Sequence, residues 1–193
     1  MNCLFYACQT PWVEHPEAAL GPNRSVFFWR TRWNKIVPRG LPLYPFGVWW
    51  LLHHFRVFAN RDYGLLLIYE NETLIHRSCV FPRYFRFPFM EKTDLQIGDT
   101  WTSPEYRGQG LASLAIRRIV EMHPEPRRFW YVVEEASRGS IRAAERAGLT
   151  LTGRGRRTTR LGSQLFGQFV MDTAISCSAE SVSVRSAMRA RSG

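Results

Sequence analysis

Between Thr100 and Ala115 the chain reads TWTSPEYRGQGLASLA, a strand halted by a proline, a basic turn with two glycines, and the first turn of a helix. The leading amides of a helix have no partner inside it. Together with the helix dipole they make a seat for a diphosphate. Gly108 and Gly110 remove side chains where a ligand must come close to backbone. Arg107 adds a guanidinium suited to phosphate oxygens. Elsewhere the groups able to move protons are carboxylates and one imidazole: Asp99 on the strand that enters the turn, Glu134 and Glu135 at the end of a later strand, and His76 on an apolar strand. Each has a plainer reading. The turn could be an ordinary strand-to-helix connection, the carboxylates solvated strand ends, and His76 a hydrogen-bonded core residue.

The elements that must hold these groups can be read from periodicity. Leu111, Leu114, Ala115, Ile119 and Met122 recur at helical spacing, with Arg117 and Arg118 between them. Pro124-Glu125-Pro126 ends that helix, and Phe129 to Glu134 comes next as a buried strand. Ser137 to Leu149, SRGSIRAAERAGL, then reads as a short capped helix. Ser137 or Ser140 supplies the cap, Ile141, Ala144 and Ala147 the apolar face, and Gly148 a left-handed end. Upstream, Tyr63 to Tyr69 and Leu74 to Phe81 flank the turn Glu70-Asn71-Glu72-Thr73 as a hairpin, and Asp94 to Thr102 is the strand entering the motif. Arg83 to Met90 is an edge strand or a loop, because Pro88 cannot sit centrally in a sheet. Leu149 to Thr159 and Gln164 to Met171 form a last hairpin around Leu161-Gly162-Ser163.

Two of these stretches carry a resemblance. Arg107, Gly110 and Ala112 fit the [Q/R]-x-x-G-x-[G/A] pattern of the GNAT superfamily of acyl-CoA-dependent N-acyltransferases. Ser137 to Leu149 resembles that family's N-x-x-(S/A)-I-R-x-x-E-x-x-G-(F/L) segment, downstream of the first and separated from it by a strand. The resemblance covers roughly Tyr63 to Met171. It implies an α/β fold with a mixed, mostly antiparallel, splayed sheet flanked by helices, and acetyl-CoA or another acyl-CoA as co-substrate. Backbone at Trp101 and Thr102 would pair with the pantetheine arm. Amides from Arg107 through Gly108, Gln109, Gly110, Leu111 and Ala112 would hold the diphosphate, with Ser137 and Ser140 near the arm. The family usually has Asn where Ser137 stands. It often has a tyrosine, acting as acid on the departing thiolate, where this chain has Ala144. A backbone N–H near Thr102 would serve the oxyanion. Asp99 ranks first and His76 second as the base, with Glu134 across the gap.

The first sixty residues are less orderly. Leu4, Phe5 and Tyr6 begin a strand, Pro11, Pro16 and Pro22 break the next stretch into extended pieces, Ser25 to Trp33 reads as a strand, and Pro38 to Pro45 as a loop. Tyr44 to Ala59 is a helix with a broad apolar surface. It is read first as a core helix packed on the sheet and second as an interfacial helix in peripheral contact with a membrane. Residues 1–62 are taken as the acceptor-side segment of the same domain, 63–173 as the acyl-CoA-binding core, and 174–193 as a mobile basic tail.

Composition sets the outer bounds. The 193 residues are 45% hydrophobic and 14% aromatic, which fits a folded domain. Net charge is +10, suiting a phosphate-bearing ligand, an anionic membrane or nucleic acid. Cys3, Cys8, Cys79 and Cys177 are scattered, with no CxxC pair and no histidine at zinc spacing. They are expected to be reduced, in a cytoplasmic protein without a metal. The resemblance implies transfer of an acetyl or short acyl group to a small-molecule amine, an amino sugar of a surface-glycan pathway being one candidate, and no nucleic-acid partner is expected. The competing expectations are a protein, aminoacyl-tRNA or antibiotic amine as acceptor, or a non-catalytic peripheral protein that binds anionic lipid or nucleic acid.

Overall fold

In the computed structural model, residues 1–10, 20–21, 23–159 and 167–175 are described. Eight strands form one sheet: β1 Asn2–Gln9, β2 Arg24–Arg30, β3 Gly64–Glu70, β4 Thr73–Pro82, β5 Leu95–Thr102, β6 Arg128–Glu134, β7 Thr150–Arg157 and β8 Phe169–Ala174. Their order across the sheet is β2-β3-β4-β5-β6-β1-β7-β8. Every neighbouring pair is antiparallel except β5 and β6, which the helix α2, Leu111–Glu121, connects in parallel. The mixed α/β fold expected from the sequence is therefore present.

The sheet is covered on both faces. Helix α2 and helix α3, Arg138–Ala147, pack on one face, where Leu66, Ile68, Ile97, Ile116, Tyr131 and Val133 join one cluster. Helix α1, Leu43–His54, lies on the other face, where Phe46 joins Leu65, Leu67, Phe81 and Trp130. This explains why β3, GLLLIYE, has no alternation: both of its faces are covered. Full burial of a side chain such as Ile116 contributes about 2 kcal/mol.

The helix ends match their sequence signals. Gly148, at φ 88, lets α3 close with Leu149 N–H donating to the Ala144 carbonyl (3.0 Å) and Gly148 N–H to that of Glu145 (2.9 Å). Ala143, Ala144 and Ala147 are buried, so α3 lies close to α2 and β6. Ser137 is the N-cap residue, but its hydroxyl donates to the Ser140 hydroxyl (3.0 Å) and not to a helix amide.

Two placements, of α1 and β1, differ in detail from the sequence reading. Helix α1 stops at His54, short of the expected end at Ala59, because Arg56 adopts φ 58. Of the two readings of Arg83 to Met90 the loop is the one found, its aromatic rings packed against β8 and β6 through Phe87–Phe169 and Phe89–Trp130. Strand β1 lies between β6 and β7, remote from β2 and α1. The expected turn at Leu161-Gly162-Ser163, Pro11, Pro16, Pro22, Cys177 and nearly all of the tail fall outside the described residues. Cys3, Cys8 and Cys79 are free thiols.

Candidate active site

Strands β5 and β6 pair only from Leu95–Phe129 to Ile97–Tyr131. Beyond that both strands continue, but apart. The gap opens into a cleft of about 520 Å³ on the face of α2 and α3. A second cavity of about 300 Å³ adjoins it, and both are lined by Thr100, Tyr131, Ser137 and Ser140.

The loop after β5 forms one wall. Pro104–Tyr106 makes a single tight turn, then Gly108 (φ 81) and Gly110 (φ 80) both take left-handed conformations. A Cβ on Gly108 would meet nothing within 4 Å, so here the backbone angle, not crowding, requires glycine. Gly110 is the N-cap of α2, with its carbonyl accepting from Leu114 N–H (3.0 Å) and from the Ser113 hydroxyl (2.8 Å). Among the described residues, the amides of Gly108, Gln109, Gly110, Leu111 and Ala112 have no partner that would occupy them. The loop is tethered from behind. Tyr106 donates its hydroxyl to Glu70 (2.6 Å), and Arg24 pairs with Glu70 (2.8 Å) and donates to the Gln109 side chain (2.7 Å). Tyr106 and Arg24 together hold the Glu70 carboxyl below its usual range.

Of the residues singled out in the sequence, Trp101, Thr102, Arg107, Gly108, Gly110, Leu111, Ala112, Ser137 and Ser140 line the larger cleft. Gln109 does not, since its side chain is turned to Arg24. The Arg107 guanidinium folds back to donate to the Thr102 carbonyl (3.3 Å). Asp99 and Glu134 line the smaller cavity. His76 lines neither. It is fully buried, with Nδ1 2.8 Å from the Thr102 hydroxyl and Nε2 3.0 Å from the Ser78 hydroxyl. Burial first, and the adjacent Arg77 second, lower its pKa to about 4, so the ring is neutral at physiological pH.

Asp99 owes its position to a β-bulge. His76 and Arg77 oppose Thr102 and Trp101, whereas Cys79 opposes Gly98, so Asp99 and Thr100 together face Ser78 alone. Asp99 adopts φ 45 within the bulge. It contacts Arg77 (3.4 Å) and the Cys79 thiol (3.8 Å) on the α1 face. Arg77 in turn lies over the rings of Phe46 (5.1 Å) and Trp101 (5.4 Å). Burial raises the Asp99 pKa, and Arg77 opposes that shift. Thr100 and Thr102 project to the opposite face, toward Tyr131 and α3.

Sequence reasoning missed four contributors to the site. Arg142 and Arg146 line the cleft opposite Arg107, giving it three guanidinium groups. Their spacing of one helical turn on α3 was a visible signal. Thr100 and Tyr131 stand in the gap itself. Tyr131 sits in the apolar run FWYVV, where nothing in the sequence distinguishes it from core. Among the described residues no cluster of metal-ligating side chains is found.

Comparison with known proteins places this geometry. Residues 28–149 match the family model described as the acetyltransferase (GNAT) family. No curated protein matches the sequence. Among solved structures, the chain is similar to a tandem GNAT protein from the clavulanic acid biosynthesis pathway, at TM-score 0.51 and 14% identity over 78% of this chain and 50% of that one. A GNAT-family acetyltransferase described as putative, from Novosphingobium aromaticivorans, aligns at TM-score 0.49 and 15% identity over 79% of this chain and 60% of that one. An acetyltransferase from the GNAT family of Colwellia psychrerythraea aligns at 0.47 and 13%, over 78% and 52%. The chain thus spans half to three-fifths of the length of these structures. The family match covers most of the sheet together with both helices of the cleft, and on that ground the chain belongs to the GNAT family of acetyltransferases.

Proposed function

We propose that this chain is an acyl-CoA-dependent N-acyltransferase that moves an acetyl or short acyl group to the amine of a small acceptor. The observation that carries the reading is the row of unpartnered amides from Gly108 to Ala112 beside an open gap between β5 and β6. Acyl-CoA bound there supplies an activated acyl carbon and a sulfur leaving group. The amides, with Arg107, Arg142 and Arg146, suit its phosphates. Beyond Ile97 the edge of β5 has no β6 partner, which suits an extended arm lying along it as one more strand once Arg107 turns from the Thr102 carbonyl to a phosphate, with Ser137 and Ser140 opposite.

On the α1 face, Asp99 is the assigned base, and Glu134 is the second carboxylate beside the same cavity. Asp99 carries a raised pKa, which brings a carboxylate closer to the working range of a general base. His76 acts through its hydroxyl partners and not as a base in contact with the amine. Holding the amine and the acyl carbon together supplies much of the acceleration. The acceptor enters from the α1 face, and an amino sugar remains the candidate class, with the Arg77 guanidinium, stacked over Trp101, as a donor toward its hydroxyls. Purified chain mixed with acetyl-CoA and a panel of amines, amino sugars included, should release free thiol. Absence of both thiol release and CoA binding would remove the reading.

A second contact is favoured by α1. Its sequence is apolar all round, and Leu43, Tyr44, Val48, Leu51 and Phe55 are exposed beside Trp33. Between Arg24 and Arg61 the chain has no Asp or Glu, while Arg32, Lys35, Arg56 and Arg61 are exposed. This combination suits peripheral contact with an anionic bilayer. No helix among the described residues is long and apolar enough to cross a membrane. Sedimentation with phosphatidylserine vesicles, lost in Phe55→Glu, checks it. Equal sedimentation of that variant would refute it.

A further inference from the structure

Departure of a thiol requires a proton at sulfur, and the gap between β5 and β6 holds one neutral donor aimed into it from β6. Tyr131 is 3% exposed, yet it lines both the larger cleft and the smaller cavity. Its own strand position, between Phe129 and Val133, places it on the face of α2 and α3. Asp99 stands on the other face, with Arg77 and Cys79. The two groups therefore approach the gap from opposite sides of the sheet.

The Tyr131 hydroxyl is not isolated. The Thr100 and Ser140 hydroxyls beside it favour its phenolate, against the upward push that burial gives its pKa. Thr100 is the outer end of a buried polar chain. The Ser78 hydroxyl lies 3.2 Å from that of Thr100 and 3.0 Å from His76 Nε2, and His76 Nδ1 lies 2.8 Å from the Thr102 hydroxyl. A neutral imidazole donates at one nitrogen and accepts at the other, so the chain takes one polarity as a unit. Two buried strands carry these polar groups in the middle of an apolar sheet, an arrangement that costs stability unless every member is satisfied.

We propose that Tyr131 is the catalytic acid that protonates the departing sulfur, with Thr100 and Ser140 steadying its phenolate and Ser78, His76 and Thr102 acting as positioning residues. The proposal rests on the acyl-CoA reading of the cleft. The amine nitrogen forms the C–N bond and gives one proton to Asp99. The C–S bond breaks with its electron pair on sulfur, and Tyr131 transfers its phenolic proton there. The phenolate then regains a proton from solvent as Asp99 loses one, so the net transfer is one proton from nitrogen to sulfur. The other ionisable groups around the gap are Tyr106 and Arg107 on the loop, Arg142 and Arg146 on α3, Tyr6 of β1 bonded to Glu145 of α3, and Glu134 of β6.

The test needs no acceptor. The affinity of CoA, with its free thiol, is measured by calorimetry between about pH 6 and 9, a range that brackets an ordinary thiol pKa near 8.5. Acetyl-CoA, which has no thiol to titrate, is the control. A phenol facing the sulfur stabilises its thiolate, so wild type should bind CoA about tenfold more tightly once the thiol ionises, equivalent to a lowering of the bound thiol's pKa by about one unit. Tyr131→Phe should lose that gain, bind acetyl-CoA with an affinity that stays level across the same pH range as in wild type, and unfold at nearly the same temperature. Ser140→Ala, a milder change, should lose about threefold of it, in keeping with one hydrogen bond of about 0.7 kcal/mol. An unchanged pH dependence in Tyr131→Phe, or in Ser140→Ala should the first variant not fold, overturns the assignment. Failure of wild type to bind either ligand instead overturns the carrier site itself, and the assignment with it.

Discussion

The Nδ1 of His76 and the hydroxyl oxygen of Thr102 lie 2.8 Å apart inside the sheet, one on β4 and one on β5. This contact ties the strand that enters the glycine loop to the strand behind it. With Ser78 and Thr100 it fixes two hydroxyls that border the cleft. The imidazole is therefore part of the scaffold that aims the site, and its protonation state matters to folding.

His76 should make the fold acid-sensitive. Its pKa is lowered from 6.5 in the unfolded chain to about 4 in the fold, so between these values the unfolded chain binds more protons. The stability it contributes is complete above the unfolded value and is lost as pH falls through the folded one, about 3 kcal/mol in all. Urea unfolding of wild type and His76→Gln at neutral pH and near pH 4.5 measures it. The gap between the two proteins should narrow by most of that amount at the lower pH.

Asp99 should set the acid limb of activity. Burial raises its pKa above 3.8, so the carboxylate is protonated, and lost as a base, at a higher pH than an exposed aspartate would be. Asp99→Asn should lower kcat/KM by about a hundredfold or more and flatten the profile below neutrality. An acid limb that survives in the variant would transfer the role to Glu134.

Arg142 and Arg146 should read the phosphates. Removing either by mutation to Ala should weaken CoA binding by about tenfold, the loss of one charge-assisted contact. The variants should also show a shallower dependence of affinity on salt. Equal losses for pantetheine, which lacks the diphosphate, would argue against this.

Glu70 should hold the glycine loop in shape, since it anchors both Tyr106 and Arg24. Glu70→Ala should speed hydrogen exchange at Gly108 to Gly110 while leaving α2 protected. CoA affinity should fall by a few-fold because the amides must then be ordered on binding.

Much of the scaffold was legible in local pattern. Helix α2 can be read from the spacing of Leu111, Leu114, Ala115 and Ile119, and the end of α3 from Gly148, because both are set by contacts within a few residues. The left-handed glycine turn that opens α2 was legible for the same reason. What escaped depends on register between distant strands. The bulge at Asp99 reverses the alternation of β5, placing Thr100 and Thr102 with the helices and Asp99 with α1, and no period-two pattern announces it. The buried chain through His76 emerges only once β4 is aligned with β5. The place of β1 between β6 and β7 is a pairing across more than a hundred residues.

The most direct test of the central claim is calorimetric titration of CoA into wild type and into Gly110→Trp, whose side chain would project at the edge of the cleft from a left-handed backbone position. The account predicts saturable binding to wild type and a loss of about a hundredfold or more, roughly 2.7 kcal/mol, in a variant that keeps the wild-type circular dichroism spectrum. Equal affinity in the two proteins would contradict it, and would mean that the amides between Arg107 and Ala112 do not hold the carrier.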